Sequence, residues 1–358
     1  MTTVISFEIS YVQYLNHKGE IVLALPKFAH DSTHLLSLYR MMVLTRLFDQ
    51  KAISLQRTGK LGTYASSLGQ EAIGAAIGDV MHPEDVLLPP YREYGAQLQR
   101  GVTISNILLY WGGDERGMCF SKALHDFPIC VTIASNAPHA VGVGYAMKYR
   151  NEDRVAVCVL FDGGSSKGDF YEAINAAGVW QLPIVFVISN NQWAISVPRS
   201  SQTHAQTLAQ KAIAAGIHGE QVDGNDVIAI RERFSVALEK ARNGNGPSII
   251  EALTYRMSDH TTADDATHYR SQREVDEQLK YDPIDRIRTL LKSMHNWSSE
   301  QDKKLHDDCE KIVEDEVQKY LNTPPQPLES IFDYLYAEPP KELKKQREKF
   351  MHGNKLNG

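Results

Sequence analysis

The stretch from Val155 to Ser196 constrains the fold more than any other part of the chain. Residues 155–161 form a continuous apolar run, typical of a strand that is buried on both faces of a parallel sheet. Residues 168–181 carry apolar side chains at helical spacing, Pro183 stops that helix, and residues 184–188 form a second apolar run. The order predicts a βαβ unit, and therefore an α/β fold with a mostly parallel sheet and helices on both faces.

Polar residues follow both strands of this unit. Asp162, Gly163 and Gly164 come directly after the first strand, and Asn191 follows the second. In open parallel sheets, ligands bind beyond the carboxyl ends of the strands. One carboxylate and one amide oxygen suit Mg²⁺, and the two glycines leave backbone N–H groups open to a phosphate. The pattern predicts a Mg²⁺–diphosphate site; an ordinary crossover with a polar turn is the simpler alternative.

This stretch resembles the thiamine diphosphate motif, Gly-Asp-Gly followed about one βαβ unit later by Asn-Asn. The flanking residues KGDFYEAINAAGVWQLPIVFV and NNQWAISVP resemble the α subunit of the decarboxylating component of 2-oxo acid dehydrogenase complexes, nearest to pyruvate dehydrogenase α subunits. The resemblance covers roughly residues 35–270. Phe161 departs from the family, which has the first glycine of the motif there; we expect Phe161 to adopt an ordinary φ and to pack in the core.

The resemblance implies the diphosphate-binding half of the thiamine diphosphate-binding fold. We expect an N-terminal arm over residues 1–34, the cofactor-binding α/β domain over residues 35–272, and a C-terminal helical region with a tail over residues 273–358. The arm carries alternating apolar patches on both sides of a polar turn, which predicts a small hairpin that is too short to fold alone.

Two further segments are candidate cofactor contacts. Tyr91 and Arg92 follow a short apolar run, and the resemblance implies that they bind the diphosphate, for which the arginine fork is well matched; a surface ion pair is the alternative. Residues 128–136 are interpreted as the end of another strand. There the resemblance implies that the Val131 backbone bonds the aminopyrimidine and that Ile133 is the apolar wedge beneath it; Ile133 as a plain core residue is the alternative.

His260 follows the strand that we predict at residues 249–254 and opens a loop rich in small and acidic residues. An isolated histidine is more often a satisfied polar residue than a catalyst. The resemblance implies that His260 contacts the diphosphate and takes part in acyl transfer, so it is the predicted catalytic residue. The resemblance also implies that the Trp193 carbonyl joins Asp162 and Asn191 around Mg²⁺, and that Thr261 occupies the position of a regulatory phosphoserine in mitochondrial relatives.

Composition excludes several other classes of protein. The chain has 358 residues, of which 42% are hydrophobic and 23% charged, so it is long enough for a sizeable core. A net charge of −6 argues against a nucleic-acid surface, and no apolar run is long enough to span a membrane. Four cysteines without metal-ligand spacing predict free thiols and a cytoplasmic location. The start MTTVISFEIS lacks a basic region, so neither secretion nor organelle import is expected.

The implied activity is oxidative decarboxylation of pyruvate, with transfer of the two-carbon unit to a lipoyl group of the acyltransferase core. In the family, a glutamate of the β subunit completes the site, so the resemblance implies an α₂β₂ heterotetramer. Three alternatives stay open. In the first, the same machinery acts on a branched-chain or acetoin-type substrate, with Tyr64 and Ala65 as candidate pocket residues. In the second, the chain is a non-catalytic α-like scaffold. In the third, it is a flavodoxin-like nucleotide binder that needs no β chain.

Overall fold

The computed structural model describes residues 2–354, and a parallel sheet lies at its centre. Its strands are β1 (Tyr11–Val12), β2 (Val86–Leu88), β3 (Ala156–Phe161), β4 (Ile184–Asn190), β7 (His218–Asp223) and β8 (Ser248–Leu253), while β5 (Trp193–Ala194) and β6 (Val197–Pro198) form a separate antiparallel hairpin. The order across the sheet is β1-β7-β8-β4-β3-β2, and each neighbouring pair is parallel. The predicted α/β class with a parallel sheet is confirmed.

Helices connect the strands and extend the chain beyond the sheet. They are α1 (Ser32–Arg57), α2 (Glu71–Val80), α3 (Tyr94–Gln99), α4 (Ile104–Trp111), α5 (Asn136–Arg150), α6 (Gly168–Val179), α7 (Arg199–Gln202), α8 (Lys211–Ala214), α9 (Val227–Arg242), α10 (Gln272–Gln278), α11 (Pro283–His295), α12 (Ser299–Leu321) and α13 (Lys341–Asn354). Side chains define several starts: Asp31 caps α1 by accepting from Thr33 N, and Asp226 caps α9. Among residues 2–354, no helix has both the length and the apolarity needed to cross a bilayer.

Alternating side chains of the sheet face two different hydrophobic layers. Val157 and Val159 of β3 pack in the layer that α1, α2 and α9 cover, whereas Cys158 and Leu160 pack in the layer of α5 and α6. Helices α11 and α12 add to the first layer. Because both faces are covered, the central strands are mostly apolar, and this pattern made β3 and β4 recognisable in the sequence.

Residues 128–136 do not form the predicted strand, and that interpretation was wrong. Cys130 makes an isolated parallel bridge with Pro90, after which Ser135 N donates to Thr132 O (3.2 Å) in a turn that leads into α5. The ladder does not extend because the neighbouring segment ends in Pro89 and Pro90, which have no N–H to donate.

The N-terminal arm turns back on itself at the predicted polar turn, but only Leu15 and Ile21 pair across it and residues 5–9 do not, so the predicted hairpin is shorter than expected; the arm also supplies the edge strand β1. Leu15 is buried and bridges Ile21 across the hairpin. The Asp226 carboxylate accepts from the N–H groups of Tyr14 and Leu15 (2.7 Å each), and Arg286 of α11 donates to Leu15 O (3.2 Å). The arm is therefore bound to both the sheet and the C-terminal helices, while the domain boundaries given above stay a prediction.

Candidate active site

Four neighbouring strands end at one edge of the sheet and present polar side chains there. Tyr91 and Arg92 follow β2, Asp162 follows β3, Asn191 follows β4, and His260 lies in the loop after β8. Between them is a cavity of about 160 Å³. The expectation that the carboxyl ends of β3 and β4 lie side by side is confirmed, because Phe161 is in register with Ser189.

The cavity collects most of the predicted site residues and several others. Val131 lies outside the lining of the cavity and is 54% exposed. Asp162 is buried beside the cavity. The lining residues are Tyr91, Arg92, Ile133, Phe161, Gly163, Gly164, Asn191, Trp193, Ala194, Ile195, Arg256 and His260. The binding roles that the resemblance implies for these residues stay predictions.

The carboxylate of Asp162 has one free oxygen. Its Oδ2 accepts a hydrogen bond from Gln202 Nε2 (2.8 Å), whereas Oδ1 is buried and has no partner among the described residues. Burial raises the pKa of this carboxyl, because the charged form loses its hydration. A buried carboxylate oxygen without a partner is costly, and a bound cation would satisfy it.

The neighbouring oxygens fit the same cation. Asn191 donates through Nδ2 to Gln70 Oε1 (3.1 Å), which leaves its Oδ1 with a weak contact to Trp193 N (3.3 Å). The Trp193 carbonyl accepts from Arg256 Nη1 (3.2 Å) and keeps a second lone pair. Residues 2–354 contain no cluster of three histidine, cysteine or acidic side chains that could hold a metal. One carboxylate with amide and carbonyl oxygens is a set that Mg²⁺ accepts when phosphates supply further ligands.

The glycines after Asp162 make room for close approach. A Cβ at Gly163 would come within 2.7 Å of Ala194 Cβ, so the β5–β6 hairpin lies directly against the turn. A Cβ at Gly164 would come 3.3 Å from Leu160 Cδ1. The segment Asp162–Ser166 is a 3₁₀ turn, and its two glycines line the cavity.

Phe161 adopts an ordinary extended backbone, with φ −92° and ψ 167°. Its side chain is 8% exposed and packs with Ala65, Tyr91 and Ile129; its ring centroid lies 5.1 Å from that of Tyr91. The prediction that phenylalanine ends the strand without backbone strain is confirmed. The permissive backbone of this turn begins one residue after Asp162, and position 161 does not need a glycine.

Burial and two arginines keep His260 neutral. Arg92 Nη2 lies 3.0 Å and Arg256 Nη1 3.3 Å from His260 Nδ1. Since a guanidinium can only donate, Nδ1 must accept, and the ring proton is carried by Nε2. Burial, followed by the charges of Arg92 and Arg256, lowers the pKa of His260 to about 4. His260 is therefore a neutral side chain near pH 7 and can donate a hydrogen bond through Nε2.

The depressed pKa of His260 should make the fold sensitive to acid. As pH falls from the ordinary histidine value of 6.5 towards about 4, the unfolded chain binds a proton that the folded chain rejects, so stability is lost. His260→Gln cannot take up this proton. In urea melts, its free energy of unfolding should fall less than that of the wild type between about pH 7 and about pH 4.5.

The exposed His268 offers a matched control for this comparison. His268→Gln removes an exposed imidazole of the same segment, so it measures what a histidine-to-glutamine change does apart from the contacts with Arg92 and Arg256. If His260→Gln and the wild type lost stability equally, the assignment of a rejected proton to His260 would be wrong.

The loop that carries His260 is hydrogen-bonded to the segment that joins α1 to α2. Thr262 N donates to Tyr64 O (2.9 Å), and Tyr64 N donates to Thr262 Oγ1 (3.0 Å). The Tyr64 side chain points away from the cavity: it is fully buried and donates to Asp49 Oδ1 (2.9 Å). Tyr64 is therefore not a wall of the described cavity, and Ala65 packs in the same cluster as the lining residues Tyr91 and Phe161 without lining the cavity itself.

Sequence reasoning missed two residues that shape the site. Arg256 is fully buried, lines the cavity and donates to Ile195 O (2.7 Å) as well as to Trp193 O. Gln202, from α7, reaches Asp162 across forty positions of sequence. Its place three residues after a buried strand marked the position of Arg256 but not its role, whereas nothing local marked Gln202.

Comparison with known proteins decides the family. The sequence model described as "Dehydrogenase E1 component" matches residues 39–329 of this chain. The chain belongs to the dehydrogenase E1 component family. This confirms the predicted membership and the predicted type of oxidoreductase chain, and the family implies thiamine diphosphate as cofactor.

Several E1 components are similar to this chain over most of their length. One from Acholeplasma laidlawii, named pyruvate dehydrogenase E1 component subunit alpha, is 40% identical over 335 residues, which are 92% of this chain and 96% of the relative. One of the same name from Bacillus subtilis (strain 168) is 38% identical over 339 residues, 94% and 91% of the two chains. A Mycobacterium tuberculosis (strain ATCC 25618 / H37Rv) protein named 3-methyl-2-oxobutanoate dehydrogenase subunit alpha is 40% identical over 311 residues, 87% and 85%.

Proposed function

We propose that this chain is the α subunit of a pyruvate dehydrogenase of the E1 type, which decarboxylates pyruvate oxidatively with thiamine diphosphate and Mg²⁺. The observation that carries the proposal is the single cavity between four strand ends. It joins an arginine fork, a glycine turn and a neutral histidine beside a carboxylate oxygen that has no partner within residues 2–354. The names of the two relatives from A. laidlawii and B. subtilis support pyruvate as the substrate.

The residues around the cavity bind different parts of the cofactor. Tyr91 and Arg92 bind the diphosphate, with the N–H groups of Gly163 and Gly164 as further donors. Mg²⁺ is held by Asp162 Oδ1, Asn191 Oδ1 and the Trp193 carbonyl. At the other end, the Val131 backbone bonds the aminopyrimidine, and Ile133, which lines the cavity, keeps the cofactor bent.

Thiamine diphosphate would supply a carbon that, once deprotonated, is nucleophilic towards the keto group, and a thiazolium ring that accepts the electron pair left behind when CO₂ departs. The protein orients the reactants and excludes water. His260 acts as a hydrogen-bond donor: with Nδ1 facing two guanidinium groups, its Nε2–H is the atom that contacts the diphosphate and steers acyl transfer. Because its pKa is lowered to about 4, His260 keeps this role without becoming charged near pH 7.

The proposal includes a β subunit in an α₂β₂ heterotetramer and a lipoyl-bearing acyltransferase core that accepts the two-carbon unit. The described lining of the cavity offers no glutamate to protonate the aminopyrimidine, so a second chain has to supply one. The words "E1 component subunit alpha" in the relatives' names support such an assembly. A cytoplasmic location belongs to the same proposal and agrees with the four free thiols Cys119, Cys130, Cys158 and Cys309.

Reconstitution tests the proposal. The purified chain alone should decarboxylate no 2-oxo acid, and addition of the β subunit, thiamine diphosphate and Mg²⁺ should start turnover of pyruvate. Release of CO₂ and reduction of a lipoyl acceptor are the measurements. Turnover of pyruvate by the chain alone would contradict the divided site.

The branched-chain substrate is the second candidate, because the M. tuberculosis relative named for 3-methyl-2-oxobutanoate is as similar as that from A. laidlawii. The same assembly should be offered pyruvate and 3-methyl-2-oxobutanoate in separate assays. We expect kcat/KM to favour pyruvate by at least about tenfold, the discrimination typical of a few methylene groups in an apolar pocket. The reverse order would assign the branched-chain substrate.

A further inference from the structure

The turn Asp162–Ser166 is held from outside by the segment that follows the β5–β6 hairpin. Gln202, the last residue of α7, donates to Asp162 Oδ2 (2.8 Å). Lys211, the first residue of α8, donates through Nζ to Ser165 O (2.5 Å) and Ser165 Oγ (2.9 Å). Ser165 Oγ in turn donates to Asp162 O (2.6 Å). One residue therefore binds the side chain of Asp162, and the other binds its backbone through a serine.

The contact from Gln202 selects which carboxylate oxygen is free. A carboxylate can rotate about its Cβ–Cγ bond, and one amide donor on Oδ2 fixes that rotation. The other oxygen, Oδ1, is buried and has no partner among residues 2–354. Because the amide is neutral, it does not offset the charge of Asp162, and the need for a cation at Oδ1 remains.

Lys211 is a buried cation whose contacts are with the turn. It is 5% exposed, and no carboxylate oxygen of the described residues lies within 4.0 Å of its Nζ. Besides Ser165 it contacts the face of Tyr171, with Nζ 5.0 Å from the ring centroid. Burial lowers the pKa of Lys211 to about 8, which reflects the cost of keeping an unpaired charge there. Such a cost is offset if an anion is bound at the neighbouring Gly163 and Gly164.

We propose that Gln202 and Lys211 are positioning residues for the cofactor: Gln202 turns Asp162 Oδ1 towards the metal, and Lys211 fixes the glycine turn and balances the charge of the diphosphate. This inference rests on the proposed function, because it concerns the same cofactor. Neither residue needs to contact a reacting atom.

Gln202→Leu tests the first half in the complex with the β subunit. Titration calorimetry with Mg²⁺ at a fixed concentration of thiamine diphosphate should give a half-saturating Mg²⁺ concentration about tenfold higher, as for one hydrogen bond to a charged group. Thermal unfolding without cofactor should change no more than in the control Gln13→Leu, because Gln13 makes the same kind of bond (2.6 Å) to Asp223, away from the cavity. Unchanged Mg²⁺ saturation, or the same rise in both variants, would overturn the role of Gln202.

Lys211→Met tests the second half through the cofactor itself. At saturating Mg²⁺, the Kd for thiamine diphosphate should rise about tenfold, while Lys211→Arg should restore part of the affinity. Lys240→Met is the control, because Lys240 also donates to backbone carbonyls, those of Gly246 (3.0 Å) and Pro247 (2.8 Å), far from the cavity lining. If Lys211→Met does not fold, Ser165→Ala interrupts the same relay and should weaken binding in the same direction. Wild-type affinity in the folded variants would overturn the role of Lys211.

Cofactor binding by the wild-type complex distinguishes failure of the proposed function from failure of the positioning roles. If it takes up no thiamine diphosphate in the presence of Mg²⁺, the proposed function fails and this inference fails with it. If it binds the cofactor and the Gln202 and Lys211 variants bind equally well, the proposed function stands and only the positioning roles are wrong.

Discussion

Asp162→Ala is expected to weaken binding of Mg²⁺ and thiamine diphosphate by the α/β complex by about 10²–10³-fold. Loss of one partner of a buried ion pair typically costs about 3–5 kcal/mol, because the other charge is left uncompensated. Without cofactor, the same variant should be about as stable as the wild type: it loses the hydrogen bond from Gln202, but it also removes the desolvation cost of Oδ1, which is buried without a partner among the described residues. Calorimetric titration measures the affinity, and urea melts measure the stability.

Asp169→Ala is the matched control for this loss. Asp169 is a partly exposed carboxylate of α6 that pairs with Lys167 (3.2 Å) and does not line the cavity. It should leave cofactor affinity at the wild-type value. Equal affinity in Asp162→Ala and the wild type would remove Asp162 from the metal site.

Phe161→Gly should lower the free energy of unfolding by about 3–5 kcal/mol, the range for truncation of a buried phenylalanine. The ring fills the space between Ala65, Tyr91 and Ile129. The backbone at 161 is already extended, so glycine relieves no strain. Thiamine diphosphate should bind no tighter to the variant than to the wild type. Urea melts and cofactor titrations of the same preparation check both statements.

Phe161→Leu removes the aromatic ring but keeps a large apolar side chain. It should lose less free energy of unfolding than Phe161→Gly, because it leaves a smaller cavity. A glycine variant that is as stable as the wild type and binds cofactor tenfold better would show that Phe161 harms the site. In that case the non-catalytic scaffold would gain support.

The central βαβ unit could be predicted because its physics is local and strong. Strands β3 and β4 are buried on both faces, so their sequences are continuous apolar runs, and the helix between them shows one apolar stripe. The end of β4 was placed two residues early. Ser189 and Asn190 are polar yet buried, and Asn190 is satisfied by Glu251 of β8 (2.7 Å), a partner that no local pattern reveals.

The site residues that could be predicted are likewise those that a local sequence pattern marks. Residues directly after strands, such as Asp162 and Asn191, could be predicted because the topology brings strand ends together. The role of Arg256 could not be assigned from its residue type alone, because Arg256 donates its hydrogen bonds to backbone carbonyls of the β5–β6 hairpin. Gln202 depends on how the chain returns after that hairpin, which is a property of the tertiary structure.

The edge strand β1 has a consequence for synthesis on the ribosome. Its partner β7 is translated about two hundred residues later, and Arg286, which binds the carbonyl of Leu15, emerges later still. The βαβ centre can assemble while translation continues, whereas the arm has to remain unpaired until β7 and α11 have left the exit tunnel. During that interval Tyr14 and Leu15, the apolar residues of the arm that docking buries, are available to chaperones, and docking of the arm becomes a late step in maturation of the chain.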